Sequence, residues 1–185
     1  MKRLFALLAI LVMLPGCTGA GDTLDRVMAL RADLLASPCA FRAVVTADYG
    51  DAVHIFTMEC RSETSGDLAF TVSAPESIAG ITGKLSREGG RLTFSDTALA
   101  FPLMADEQFS PVSAPWVLMQ TLRGGYVTAC GMEGEMVRAT IHDSYEEDAL
   151  MLDIWLDGNN LPARAEILWD GRRILTVEVE NFEYL

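Results

Sequence analysis

At Ser37-Pro38 the hydrophobic period of this chain changes from helical to alternating and stays so for most of the remaining length, which restricts it to a narrow set of architectures. Before it, Leu24, Val27, Met28, Leu34 and Leu35 recur at helical spacing through Ala36, with Asp22 placed to cap the helix and Asp25 in its first turn. Pro38 stops that helix by disfavouring helical backbone at the residue before it. One apolar stripe needs a surface to lie against. After Pro38, apolar and polar residues alternate through Phe41 to Ala47, Ala52 to Arg61, Leu68 to Ala74, Ile78 to Ser86, Arg91 to Ser95 and Thr97 to Phe101. The pattern breaks between Pro102 and Gly125, where Ser113-Ala114-Pro115 starts a second helix over 113–123 that Gly124-Gly125 ends. Alternation then returns through Tyr126 to Met132, Glu135 to His142, Leu150 to Asp157, Ala163 to Trp169 and Arg173 to Phe182, and Asp170-Gly171 is a strong hairpin signal. The connections are too short for crossover helices, so the sheet is antiparallel. About ten strands cannot lie in one flat sheet. The expected fold is mainly β (α+β): a curved antiparallel half-barrel whose concave side is covered by two helices.

The N-terminus sets the expected address. Met1-Lys2-Arg3 is cationic, Leu4 to Leu14 is an uncharged apolar run too short to cross a bilayer as a mature helix, and Leu14-Pro15-Gly16-Cys17 follows. That tetrapeptide resembles the lipobox of bacterial lipoproteins, in which the cysteine is acylated and the peptide is cut before it. The resemblance implies a signal peptide over 1–16, a lipidated tether over 17–21 and one domain over 22–185, held on the extracytoplasmic face of the cell membrane by the lipid on Cys17. Cleavage removes two of the 14 basic residues and none of the 26 acidic ones, so the formal charge moves from −12 to −14. Such a surface repels phosphate backbones, which sets nucleic acid aside, and leaves attachment to the acyl chains.

Cys39, Cys60 and Cys130 are then an odd set in a compartment where disulfides persist. If Tyr49-Gly50 is a two-residue hairpin loop, opposed residues have numbers summing to 99, which places Cys39 opposite Cys60 at a non-hydrogen-bonded position, where α-carbons approach to about 4.5 Å. A Cys39–Cys60 bridge is one expectation and three buried free thiols the other.

Catalytic patterns are scarce. His54 and His142 sit in alternating segments, the acidic stretch Asp143 to Asp148 and Asp157-Gly158-Asn159-Asn160 read as turns, and Arg164 and Glu166 share one strand face. No nucleophile elbow, phosphate loop or zinc spacing is present. The reading is of a protein that is not an enzyme and uses no cofactor or metal.

Trp155-Leu156-Asp157, Leu161 to Glu166, Trp169-Asp170-Gly171 and Val177 to Phe182 resemble the end of LolA-like lipoprotein-sorting proteins and their lipid-anchored Gram-positive relatives, including the clostridial germination lipoprotein type. Ala47 to Asp51, Pro75 to Ile81 and Ser110-Pro111 are similar to segments of the same relatives. The resemblance implies a LolA/LppX-like half-barrel with a hollow between sheet and helices that takes acyl chains or other hydrophobic cargo. Phe56, Phe70, Phe94, Phe101, Trp116, Met119, Leu122, Met151 and Trp155 are the candidate liners, each equally able to fill a core. The function expected is lipid binding or help in envelope lipid and lipoprotein handling, through an acyl-chain ligand. The alternative is a scaffold that docks or licenses an envelope or spore-cortex enzyme as protein partner.

Overall fold

The computed structural model describes residues 19–185 apart from 49, 51, 95, 96, 102, 103, 106, 107, 147 and 148, with backbone alone at 19, 20, 101, 104, 105, 108 and 109. The expectations for 1–18, lipidation of Cys17 among them, lie outside the described residues.

Helix α1 (Gly19–Ala36) is followed by strands β1 (Cys39–Asp48), β2 (Val53–Ser62), β3 (Leu68–Ala74), β4 (Thr82–Ser86), β5 (Gly89–Phe94) and β6 (Thr97–Phe101). A short ladder of β7 (Met104–Ala105) and β8 (Gln108–Phe109) and a 3-10 turn (Pro111–Ser113) lead into α2 (Ala114–Gly124). The chain ends with β9 (Tyr126–Glu133), β10 (Met136–His142), β11 (Met151–Leu156), β12 (Pro162–Trp169) and β13 (Arg172–Tyr184). Eleven strands form one antiparallel sheet in the order β6-β5-β4-β3-β2-β1-β13-β12-β11-β10-β9. The first and last strands therefore pair at its centre, from Cys39 opposite Tyr184 to Ala47 opposite Leu175. Each half of the chain is a meander running between that seam and one edge, and the segment holding α2 carries the chain from one edge to the other.

Alternation decides the two faces. Odd residues of β1 (Cys39, Phe41, Ala43, Val45, Ala47) and even residues of β2 and β3 (Phe56, Met58, Cys60, Leu68, Phe70, Val72) point to one side and are buried. Val27, Leu30 and Leu34 of α1 and Val117, Leu118, Met119 and Leu122 of α2 meet them there in a single core. α1 packs chiefly on β9 and α2, whereas α2 lies across β13, β12, β10 and β2. Neither helix makes its main contacts with β4, β5 or β6. The expected half-barrel is what forms, with one wing of the sheet left uncovered.

Local chemistry explains the turns. Asp170 and Gly171 both have positive φ (48° and 69°), the backbone that a two-residue type I′ loop requires. Asp157 Oδ1 accepts from the amides of Asn159 and Leu161, both at 2.9 Å, and Asn160 takes the left-handed conformation (φ 66°).

Two expectations are corrected. Residues 76–80 form a turn rather than the start of β4, closed by the Gly80 amide donating to the Val72 carbonyl at 2.9 Å. The β1–β2 hairpin has a four-residue loop, 49–52, so opposed residues sum to 101 rather than 99. Cys39 accordingly faces Ser62, and Cys60 faces Phe41. Diagonal neighbours on a sheet are about 7–8 Å apart, beyond the usual α-carbon span of a disulfide. Cys39, Cys60 and Cys130 are all free thiols.

Candidate functional site

One register row on the helix-covered face runs Phe41, Cys60, Phe70, Gly83, Leu92, Leu99 across six strands. Its first three members are buried, Leu92 is half-buried, and Leu99 is 63% exposed. Row and exposure change together because the helices stop short. Phe94, on the same face of β5, is 51% exposed, so the wing presents apolar side chains to solvent on the face that elsewhere holds the core. Gly83 makes the transition from covered to open sheet. A β-carbon there would run into the Phe70 ring and come within 3.1 Å of Leu92 Cδ2, so only glycine lets the ring lie flat over the strand and reach the wing.

The candidate liners divide accordingly. Phe56, Phe70, Met119 and Leu122 are buried members of the core. Trp116 packs on the core at the rim of α2, and its indole Nε1 donates to the Gly66 carbonyl at 3.0 Å, beside Gln120 Nε2 at 2.7 Å. Phe94 alone of the nine has its described side chain on the open wing. Phe101 pairs with Gly90, and its side chain lies outside the described residues.

Met151 and Trp155 are corrections. They alternate with the core residues Leu152, Ile154 and Leu156, and so project from the outer face, away from both helices. The reading from sequence missed this although Asp153, between them on the same side of β11, marks that side as the outer one.

The outer face holds a charged ladder. Trp155 lies between Arg138 and Arg164 in one register row, with the guanidinium carbons 5.2 and 5.3 Å from its ring. Asp153 stands directly opposite Glu166, a pairing of like charges that is unfavourable unless each is compensated. Both are. Arg138 Nη2 and Thr140 Oγ1 donate to Asp153 at 2.7 and 2.6 Å, while Arg164 Nη2 and Arg173 Nη1 donate to Glu166 at 2.6 and 2.9 Å. The bond to Asp153 holds the Arg138 guanidinium above its already high pKa. These acids are spent on ion pairs, and His54 and His142 both stay in strands as expected. The sequence signal was present in the alternate charges Asp153, Arg164, Glu166 and Glu178, of which only the Arg164–Glu166 pair was read.

A depression of about 820 Å³ opens at the ends of β3 to β5. Glu63, Asp67, Lys84, Glu88 and Arg91 wall it together with Leu68, Ala69, Leu85 and Ala100, a lining of mixed charged and apolar character. A smaller groove of about 290 Å³ runs beside α2 past Trp116, Gln120 and Asp143.

No protein-family model matches the chain, and no curated protein matches it. Solved structures of similar course include an uncharacterized conserved protein from Thermus thermophilus, with 12% identity, a TM-score of 0.48, and 89% of this chain covered against 86% of that one. A putative outer membrane lipoprotein-sorting protein domain from Vibrio parahaemolyticus has 8% identity, a TM-score of 0.46, and coverage of 85% and 90%. A LolA superfamily protein from Nitrosomonas europaea has 7% identity, a TM-score of 0.44, and coverage of 90% and 94%. LolA superfamily proteins are among its structural neighbours. At these identities and TM-scores the likeness carries no function, and what the half-barrel of this chain does rests on its own faces. Among the described residues, buried side chains of sheet and helices meet under α1 and α2, and Phe94 and Leu99 of β5 and β6 are exposed on the same face.

Proposed function

We propose that this protein is a membrane-anchored extracytoplasmic lipoprotein, not an enzyme, whose half-barrel takes up an acyl chain or similar hydrophobic ligand on the open wing. The observation that carries this reading is the exposure of Phe94 and Leu99 on the core-facing side of the sheet. Covering both would remove roughly 200 Å² of apolar surface from water, about 5 kcal/mol before the costs of binding are met. A ligand lying along this face would continue the core outward past Phe70 and Leu92. The lipobox-like Leu14-Pro15-Gly16-Cys17 supports the anchor and the address.

The test is binding of a fluorescent polyene fatty acid to the purified protein, read as an emission increase. Phe94→Glu and Leu99→Glu are expected to reduce affinity at least tenfold each while leaving thermal unfolding within about 2 °C, because exposed substitutions rarely shift stability by more than about 0.5 kcal/mol. Unchanged affinity in both variants would remove the wing as the site.

The second reading, a docking scaffold for an envelope enzyme, is supported by the outer row Arg138, Trp155, Arg164, in which two half-exposed guanidinium groups are held over one indole. Trp and Arg are the side chains that most often anchor protein interfaces. Retention of a membrane enzyme by the wild type and its loss with Trp155→Ala, alongside no fatty-acid binding, would favour the scaffold.

A further inference from the structure

The sequence gives α1 a single apolar stripe, but the fold uses only part of it. Val27, Leu30 and Leu34 enter the core, whereas Leu24, Met28 and Leu35 stay 41%, 45% and 55% exposed. At about 100° per residue, Leu24, Met28, Ala32 and Leu35 fall within an arc of about 80° that contains no charged residue. Asp25 and Arg31 border it, Asp22 and Asp33 lie on the far side, and Arg31 is turned inward to the carbonyls of Leu122 and Gly125. The helix thus carries a second, uncovered apolar strip along nearly its whole length.

We infer that this strip rests on the lipid surface and sets the orientation of the half-barrel on the membrane. The inference rests on the reading of Cys17 as the lipidated residue. Only Thr18 separates Cys17 from Gly19, where α1 begins, and two residue steps of extended chain span at most about 7 Å. The first turn of α1 is thereby held within reach of the depth of about 5–10 Å that interfacial helices occupy, and the strip decides whether the rest of the helix lies down beside it. The size of the strip fits the same partner. Its three large side chains expose roughly 250 Å² of mostly apolar surface, far below the ~800 Å² per partner of a stable protein interface. Beside a bilayer already held by the anchor, the entropic cost of encounter has been met, and a small apolar strip suffices to choose an orientation. After cleavage the formal charge is −14, so attraction to anionic headgroups does not orient the domain and the apolar strip is left to do so.

The test uses the full chain purified from membranes and reconstituted in phosphatidylcholine vesicles containing a phospholipid with a diazirine in its acyl chain. After irradiation, peptide mapping is expected to find adducts at Leu24, Met28 and Leu35 at least fivefold above those on the β12–β13 hairpin. Leu24→Glu combined with Met28→Glu is expected to abolish the α1 adducts while the mass of acylated Cys17 and the thermal midpoint stay as in the wild type. Acylated Cys17 with α1 labelled no more than β12–β13 would overturn the inference and leave the anchor standing. Cross-linking of α1 to a second copy or another protein in place of lipid would overturn it in favour of that partner. An unacylated Cys17 would remove the anchor, and this inference with it, by a separate mass signature.

Discussion

Arg31 and Arg123 each close the helix that carries the other. From α1, Arg31 donates to the Leu122 and Gly125 carbonyls at the end of α2, at 2.7 and 2.8 Å. From α2, Arg123 donates to the Leu34 carbonyl near the end of α1 at 3.1 Å and to Ser62 Oγ in β2 at 2.9 Å. Helix C-termini leave carbonyls without partners inside the helix, and here buried guanidinium groups satisfy them while bonding the two helices to one another. Arg31→Ala and Arg123→Ala are each expected to lower unfolding stability by about 1–3 kcal/mol. The double variant should lose less than the sum, since both bonds hold one junction. Urea unfolding of the four proteins measures it, and strict additivity would show that the two arginines act independently.

Gly83 and Phe70 form a second coupled pair. Gly83→Ala is expected to cost about 1–3 kcal/mol by driving the Phe70 ring off the strand. In a Phe70→Leu background the same substitution should cost less than half as much. An equal cost in both backgrounds would place the penalty elsewhere.

Thiol reactivity follows from burial. Desolvation pushes the Cys39 thiol up to about 11, against a weaker opposing pull from Arg123, and pushes Cys60 further in the same direction. Both should resist iodoacetamide in the folded protein at pH 8, leaving half-buried Cys130 as the preferred target. In denaturant without reductant all three should be alkylated. Mass spectrometry counts the adducts, and a pair that needs reductant would restore the bridge.

The same shift makes stability depend on alkaline pH. A thiol whose folded pKa is raised favours the folded state fully below its unfolded value near 9, and that contribution is lost as pH rises toward 11. Two pH units correspond to about 2 to 3 kcal/mol for this fully buried group. Cys39→Ala should flatten the decline between pH 9 and 11 in denaturant titrations, and an unchanged slope would assign it to other groups. Tyr184, raised from 10 to about 12 mainly by burial, adds its own decline from pH 10 upward, so the slope between pH 9 and 10 is the part that reports on the thiol.

Trp155 reports on the outer ladder. Replacing Arg138 or Arg164 by Gln removes one face of its sandwich and one arm of a carboxylate pair. Each is expected to red-shift the tryptophan emission and to cost about 1 kcal/mol, with the loss shrinking in high salt because these pairs are partly exposed. A salt-independent cost would point to packing instead.

Strand identity and face were legible wherever one side of a strand is wet. In β1, β3 and β10, and in β2 from Phe56 onward, burial alternates residue by residue, as water on one face leaves a period of two in the sequence. The pattern failed at β11, where Leu152, Ile154 and Leu156 face the core while Met151 and Trp155 are apolar on the outer side, leaving Asp153 as the one charge that marks that side. Register was beyond reach for a related reason. The loop of β1–β2 has four residues rather than two, and a change of two leaves every side chain on its own face, so no hydrophobic signal distinguishes the alternatives even though Cys39 and Cys60 lose their pairing.

By itself the sequence determined the classes of element, their order, the antiparallel connections and the two helices, because each depends on contacts a few residues apart. The tertiary structure alone decided that β1 pairs with β13 at the centre of the sheet, that the helices cover one arm and leave β5 and β6 bare, and that half of the apolar surface of α1 faces outward. Those outcomes turn on how far a helix of fixed length reaches across a sheet of eleven strands. That is a sum over the whole chain that no local pattern encodes.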